Sequence, residues 1–221
     1  MTQLIIFDCD GTLVDSEYLY NSITSELLNE LGYSEYTPEL CMELFTGQSW
    51  STIRHELEAR HGEPMPGDII ERYIRIANKK MDHDFDATPH ADDVLHKLKE
   101  GRHICVGSNG ERNNVIKSLD VTGLLHHFDD DRIFTKIQVE RPKPAPDLFH
   151  FACEKMQILP EHALVIEDSA AGVVAAREAG IYVLGFVGTS HNQEKQALAL
   201  KNAGADAIID TLIHIENHLK P

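Results

Sequence analysis

Positive charge is scarce in this chain. Its 221 residues carry 20 lysines and arginines against 36 aspartates and glutamates, a formal net charge of −16. No basic cluster could offset repulsion from a phosphate backbone, which argues against a nucleic-acid partner. A small anionic substrate stays open, because one metal ion and one lysine can reverse the sign locally. Long apolar runs are also missing. No stretch of roughly 18 apolar residues occurs, so no membrane-spanning helix is expected, and no signal peptide is expected before the first strand. The four cysteines, Cys9, Cys41, Cys105 and Cys153, show no CxxC spacing. Cys9 and Cys105 fall on or beside predicted buried strands, so reduced structural thiols are expected. The sequence has no GxxxxGK, GxGxxG or HExxH motif, and its thirteen histidines make no Cys/His cluster. The pair His126-His127 reads as the end of a helix or a loop rather than as metal ligands. With 42% apolar and 25% charged residues, the expectation is a soluble, cytoplasmic globular protein.

What is present begins at the N-terminus. Leu4-Ile5-Ile6-Phe7 runs straight into Asp8, with Asp10 and Gly11 close behind. A short apolar run bounded by turn residues reads as a strand buried on both faces of a parallel sheet. In open parallel sheets chemistry sits beyond the carboxyl ends of the strands, where Asp8 and Asp10 fall. Two carboxylates this close repel, so they need a cation, a shared proton or separate roles.

After Ser16 the period changes. Leu19, Ile23, Leu27, Leu28 and Leu31 mark one face of a helix ending at Gly32. Further helices are predicted from Pro38 to Phe45, from a cap at Ser49 to near Gly62, and after Asp68. The last has a predicted apolar stripe of Ile70, Tyr73, Ile74, Ala77 and Met81. Residues 17–86 thus read as an all-helical insertion, and residues 1–16 with 87–221 as the core. In the core, helices alternate with strands at 104–107, 163–166, 182–186 and 207–209, with a weaker strand candidate at Ile133-Phe134. Strands separated by helices imply an α/β fold, a right-handed, doubly wound parallel sheet.

Three further stretches carry candidate chemistry. Val106-Gly107-Ser108-Asn109-Gly110 ends a buried strand just before a helix. There the Ser108 hydroxyl and backbone N–H groups, Asn109's among them, form a natural cradle for phosphate oxygens. In Arg141-Pro142-Lys143-Pro144-Ala145-Pro146-Asp147, alternate prolines hold the segment extended and limit where Lys143 can point. Asp147 reads as a helix cap. In Val165-Ile166-Glu167-Asp168, two acids at a third strand end would converge with Asp8 and Asp10. Hard oxygen ligands of this kind suit Mg²⁺.

DCDGTLVDSE at residues 8–17, with the three later stretches in the same order, resembles the haloacid-dehalogenase-like phosphohydrolases. The resemblance spans the core and implies a Rossmann-like sheet with the helical insertion as a cap. It implies Asp8 as nucleophile, forming an aspartyl-phosphate, and Asp10 as acid and base. Ser108 would bind phosphate, and Lys143 would contact both phosphate and Asp8. Mg²⁺ would be held by the Asp8 side chain, the Asp10 backbone carbonyl and Asp168, with Glu167 direct or through water. The substrate implied is a small phosphorylated metabolite, a sugar or sugar-acid monophosphate first and phosphoglycolate next. A monomer or weak homodimer is expected. Tyr20, Thr24, Gln48, Ser49, Trp50 and Arg54 are candidate substrate contacts in the cap. The related hexose-phosphate mutases (β-phosphoglucomutase-like isomerases) carry a histidine where this chain has Tyr20, and an arginine after the loop at Gly47 that is missing here. Both departures favour hydrolysis. A non-catalytic binding module fits poorly with an intact set of Asp8, Asp10, Ser108, Lys143 and Asp168.

Overall fold

A computed structural model describes residues 1–45, 48, 50–80 and 86–219. The chain divides into two compact units, one of Met1–Asp15 with Phe85–Pro221 and one of Ser16–Asp84. Within the first, β1 (Leu4–Phe7) leads to β2 (Val14–Asp15), and the chain returns through β3 (Asp86–Ala87). Then α5 (Ala91–Lys99), β4 (His103–Ser108), α6 (Arg112–Val121), β5 (Ile133–Thr135), α7 (Asp147–Met156), β6 (Ala163–Glu167), α8 (Ala170–Glu178), β7 (Tyr182–Phe186), α9 (Gln193–Ala203) and β8 (Ala207–Ile209) follow. The second unit holds α1 (Glu17–Glu30), α2 (Pro38–Phe45), α3 (Trp50–His61) and α4 (Ile69–Lys80).

The six long-range strands form one sheet in the order β5-β4-β1-β6-β7-β8, with every neighbouring pair parallel. The fold is a doubly wound α/β sheet with an inserted all-helical unit. All four residues of β1 are fully buried, as an apolar run sandwiched between helical layers requires. On one face Leu4, Ile6, Cys105, Leu148, Phe149, Val165, Val173 and Ala176 pack into a continuous core. Each large side chain buried this way contributes about 1.5–3 kcal/mol over exposure. All four cysteines are free thiols and all are buried.

Register then sets the site. Phe7 lies opposite Val106 on β4 and opposite Ile166 on β6. One step further, Asp8, Gly107 and Glu167 stand in a row across three strands. The turn after β1 is tight: Leu13 and Val14 donate to the Cys9 carbonyl at 2.9 and 3.0 Å, and Gly11 donates to the Val14 carbonyl at 2.8 Å. The chain leaves and re-enters this unit through the antiparallel pair β2–β3, Asp15 opposite Asp86.

In the helical unit α1 buries Leu19, Ile23, Leu27 and Leu28, the face its spacing predicts. On α4 the structure corrects the predicted stripe. Ile69, Ile76 and Ala77 are buried, whereas Ile70 and Ile74 are each 50% exposed. Positions 69, 76 and 77 share a helical face as well as 70, 74 and 77 do, and packing on α1 selects the former. Met81, Ser49 and Gly47 lie outside the described residues. Among the described residues no helix is long and apolar enough to cross a membrane.

Candidate active site

Lys143 sits at the centre of the row of strand ends. Its Nζ donates to Asp8 Oδ1 at 2.7 Å, to the Gly107 carbonyl at 2.6 Å and to Glu167 Oε1. Those are the three residues the sheet register aligns, so one ammonium group ties the ends of β1, β4 and β6 together. The lysine is buried, and Glu167 is wholly so. A charge withdrawn from water this far needs partners, and here every donor of the ammonium has one.

The segment carrying Lys143 is held by Asn109. The Asn109 side chain donates from Nδ2 to the Lys143 carbonyl at 2.9 Å and accepts from the Lys143 N–H at 3.0 Å. This two-way clamp joins the β4–α6 turn to the proline-rich stretch. The Asn109 side chain is thus engaged on main chain. Ser108 is buried, and its Oγ accepts from the Gly110 N–H at 3.0 Å. A Cβ on Gly110 would lie 3.2 Å from Ser108 Oγ and 3.5 Å from Asp10 Oδ2, so these two groups flank the same backbone position.

Glu167 is held from both ends. While Oε1 takes Lys143, Oε2 accepts from the Ser169 N–H at 3.0 Å and the Ser169 hydroxyl at 2.8 Å. Ser169 Oγ in turn accepts from the Gly172 N–H at 3.0 Å and caps α8. Through these bonds Glu167 orients Lys143 and the start of α8. Two glycines make room. A Cβ on Gly172 would fall 1.9 Å from Glu167 Cδ, and one on Gly11, at φ +79°, would fall 2.2 Å from Asp168 Oδ2. The Asp168 carbonyl accepts from Gln196 Nε2, and the Gly11 carbonyl from Thr189 Oγ1 at 2.6 Å. None of these supports announces itself in the sequence: Gly172, Thr189 and Gln196 belong to ordinary turn and helix patterns.

Electrostatics follow from crowding. Asp8, Asp10, Glu167 and Asp168 surround one lysine. Burial, reinforced by Glu167 and Asp10 against the pull of Lys143, pushes Asp8 up to about 8. Burial raises Asp10 to about 6. Asp168 is raised by burial and by the neighbouring charges of Asp8 and Glu167. Burial works to lower the Lys143 ammonium, yet Asp8 and Glu167 outweigh it and hold its pKa above the ordinary lysine value. Asp8, Glu167 and Asp168 each offer a carboxylate oxygen, and the three lie within 4.8 Å of one another. Hard oxygen donors with an excess of negative charge fit a divalent cation.

The other expected residues are engaged as follows. Asp147 does not cap α7, whose cap position is Pro146; its carboxylate instead takes Arg141 at 2.7 and 3.1 Å. Tyr20, Gln48, Trp50 and Arg54 lie in the helical unit. There Arg54 pairs with Glu58 at 2.9 Å, the Trp50 ring meets Tyr73 edge-on at 4.8 Å, and Gln48 Nε2 donates to the Leu44 carbonyl at 2.8 Å. Thr24 donates to the Tyr20 carbonyl at 3.0 Å.

Carboxylates and a lysine gathered at the ends of parallel strands define an α/β enzyme that handles an anion. Comparison with known proteins narrows the class. Residues 5–186 match the model of the haloacid dehalogenase-like hydrolases, and the chain belongs to that family. A solved HAD family hydrolase from Deinococcus radiodurans with bound phosphate and sodium is 31% identical, with a TM-score of 0.87 over 99% of this chain and 95% of that one. A conserved haloacid dehalogenase-like protein of unknown function from Agrobacterium tumefaciens superimposes equally well, at 30% identity, TM-score 0.87, and 99% and 97% coverage. Among relatives by sequence is the 6-phosphogluconate phosphatase of Escherichia coli, 29% identical over 192 residues, 86% of this chain and 85% of that protein.

Proposed function

We propose that this chain hydrolyses a small phosphorylated metabolite, a sugar or sugar-acid monophosphate, through an aspartyl-phosphate on Asp8. It is a phosphoric monoester hydrolase. The observation that carries the mechanism is the triple bond set of Lys143. It occupies Oδ1 of Asp8 and leaves the other carboxylate oxygen to attack.

Ionised Asp8, the form that Mg²⁺ would favour, attacks phosphorus in line through Oδ2, the bond from phosphorus to the leaving oxygen breaks, and the acyl phosphate forms. Asp10 gives its proton to the leaving oxygen. As a carboxylate it then takes a proton from water, which attacks phosphorus, frees inorganic phosphate and restores Asp8. Its pKa of about 6 leaves it able to hold or release a proton near neutrality. The Ser108 hydroxyl and the Asn109 N–H bind phosphate oxygens. Lys143 stabilises the charge on the transferring group. Asp8, Asp168 and the Asp10 carbonyl would hold Mg²⁺, with Glu167 reaching it directly or through water while bracing Lys143; when bound, the ion neutralises charge between phosphate and carboxylates. The named activity of the 6-phosphogluconate phosphatase supports the sugar-acid reading. In the cap unit, Tyr20, Gln48, Trp50 and Arg54 are the proposed substrate contacts.

The test is phosphate release from a panel of sugar, sugar-acid and two-carbon monophosphates, with Mg²⁺ or with chelator, beside Asp8→Asn. Release requiring both metal and Asp8, strongest for a sugar or sugar-acid phosphate, is the expected result. Substantial turnover by folded Asp8→Asn would overturn the mechanism, and a marked preference for phosphoglycolate would overturn the substrate class.

A further inference from the structure

We propose that Asp92, His126 and His127 form a second metal site, outside the carboxylate cluster, that takes one transition-metal ion of the zinc class. Asp92 lies in the first turn of α5, and the two histidines in a single 3₁₀ turn at Leu125–His127. Asp92 Oδ1 is 2.8 Å from His127 Nε2 and 3.6 Å from His126 Nε2. One ligand atom from each residue lies within 4.8 Å of the others. Zinc bonds of about 2.0–2.2 Å in tetrahedral geometry place ligand atoms roughly 3.3–3.6 Å apart, so the ion needs only small side-chain shifts.

A second observation points to a ligand. His126 Nδ1 is 2.7 Å from the Gly123 carbonyl. A carbonyl only accepts, so Nδ1 carries the hydrogen and Nε2, toward Asp92, carries the lone pair. Fixing a ring through an Nδ1–H to a backbone carbonyl is how proteins present imidazole to a metal. The His127 ring is buried, which fixes its placement, while Asp92 and His126 are each 64% exposed and leave the site open to solvent. His96 lies one helical turn from Asp92 on α5 and close enough to act on its charge. Binding through His127 Nε2 would move the hydrogen it shares with Asp92 to Nδ1, leaving the lone pair on Nε2 for the ion. Two imidazoles and one carboxylate favour zinc, nickel or copper over Mg²⁺, so the ion serving the strand-end cluster would not compete here. The bound ion would staple α5 to the turn after α6.

The experiment uses the full chain, stripped with chelator and dialysed against zinc in millimolar Mg²⁺, with metal content read by mass spectrometry. The expected result is one zinc per chain in the wild type, lost in His126→Ala and in Asp92→Asn. Zinc-free melting curves of these exposed-site variants should match the wild type, and Asp168→Asn should retain the zinc. Cobalt should give the intense visible absorption of a tetrahedral site in the wild type and not in His126→Ala. A wild type without zinc, variants that keep it, or zinc lost from Asp168→Asn instead, would each overturn the assignment.

Discussion

Gly172 shows how tightly the site depends on a missing side chain. A methyl group there would sit 1.9 Å from the Glu167 carboxyl carbon, and Glu167 cannot retreat, because Lys143 holds one oxygen and Ser169 the other. Gly172→Ala should destabilise the protein by about 1–3 kcal/mol, the usual cost of overpacking a filled site. It should also lower kcat by loosening Lys143. Gly101→Ala, where nothing lies within 4 Å, is the control and should stay within about 0.5 kcal/mol of the wild type. Equal melting temperatures for the two variants would refute the argument. The sequence placed Glu167 at a strand end readily, since five apolar or acidic residues follow a turn. It was silent on Gly172, because a glycine in the first turn of a helix looks the same whether or not a carboxylate occupies its Cβ position.

Between elements, the joint that matters is the Asn109–Lys143 clamp, which spans 34 residues of sequence and connects the β4–α6 turn to the stretch before α7. Asn109→Ala removes both bonds and frees the main chain of Lys143 without emptying the core. Small misplacements of a catalytic group lower rates by up to about 10²-fold, so a fall in kcat of roughly 10- to 100-fold with little change in melting temperature is expected. An unchanged kcat would show that the prolines alone hold the lysine. The elements themselves were legible: apolar runs ending in polar residues marked β1, β4 and β6, and the period of 3.6 marked α1 and its buried face. What sequence could not supply was pairing between distant positions. The clamp is one case, Asp92 against His127 another, and the choice of Ile69 and Ile76 over Ile70 and Ile74 a third. Each depends on which neighbour an element packs against, and neighbours come from the folded topology.

For the molecule as a whole, the strand-end cluster links stability to pH and metal. Asp8 has an ordinary carboxyl value of 3.8 when unfolded and about 8 in the fold. Between those values the native state keeps a proton that the unfolded chain has lost, so stability falls as pH rises through this window. In chelator, Asp8→Asn should therefore melt well above the wild type at pH 8 and close to it at pH 5. Mg²⁺ should raise the wild type most at pH 8, where the ionised form it favours is the one burial penalises. Parallel melting curves for the two proteins across this range would refute the linkage.

The pair β2–β3 has a consequence for how the chain closes on itself. Asp15 and Asp86 are partners in one short two-stranded ladder of the core unit, so the helical insertion departs and returns at neighbouring positions. To the sheet it is one loop, and the entropy of closing a loop grows only with the logarithm of its length, about 0.6 kcal/mol per doubling. Helices can be lengthened, shortened or exchanged inside that loop at small conformational cost to β1, β4 and β6. The helical insertion is therefore free to diverge while the row of Asp8, Gly107 and Glu167 stays in register.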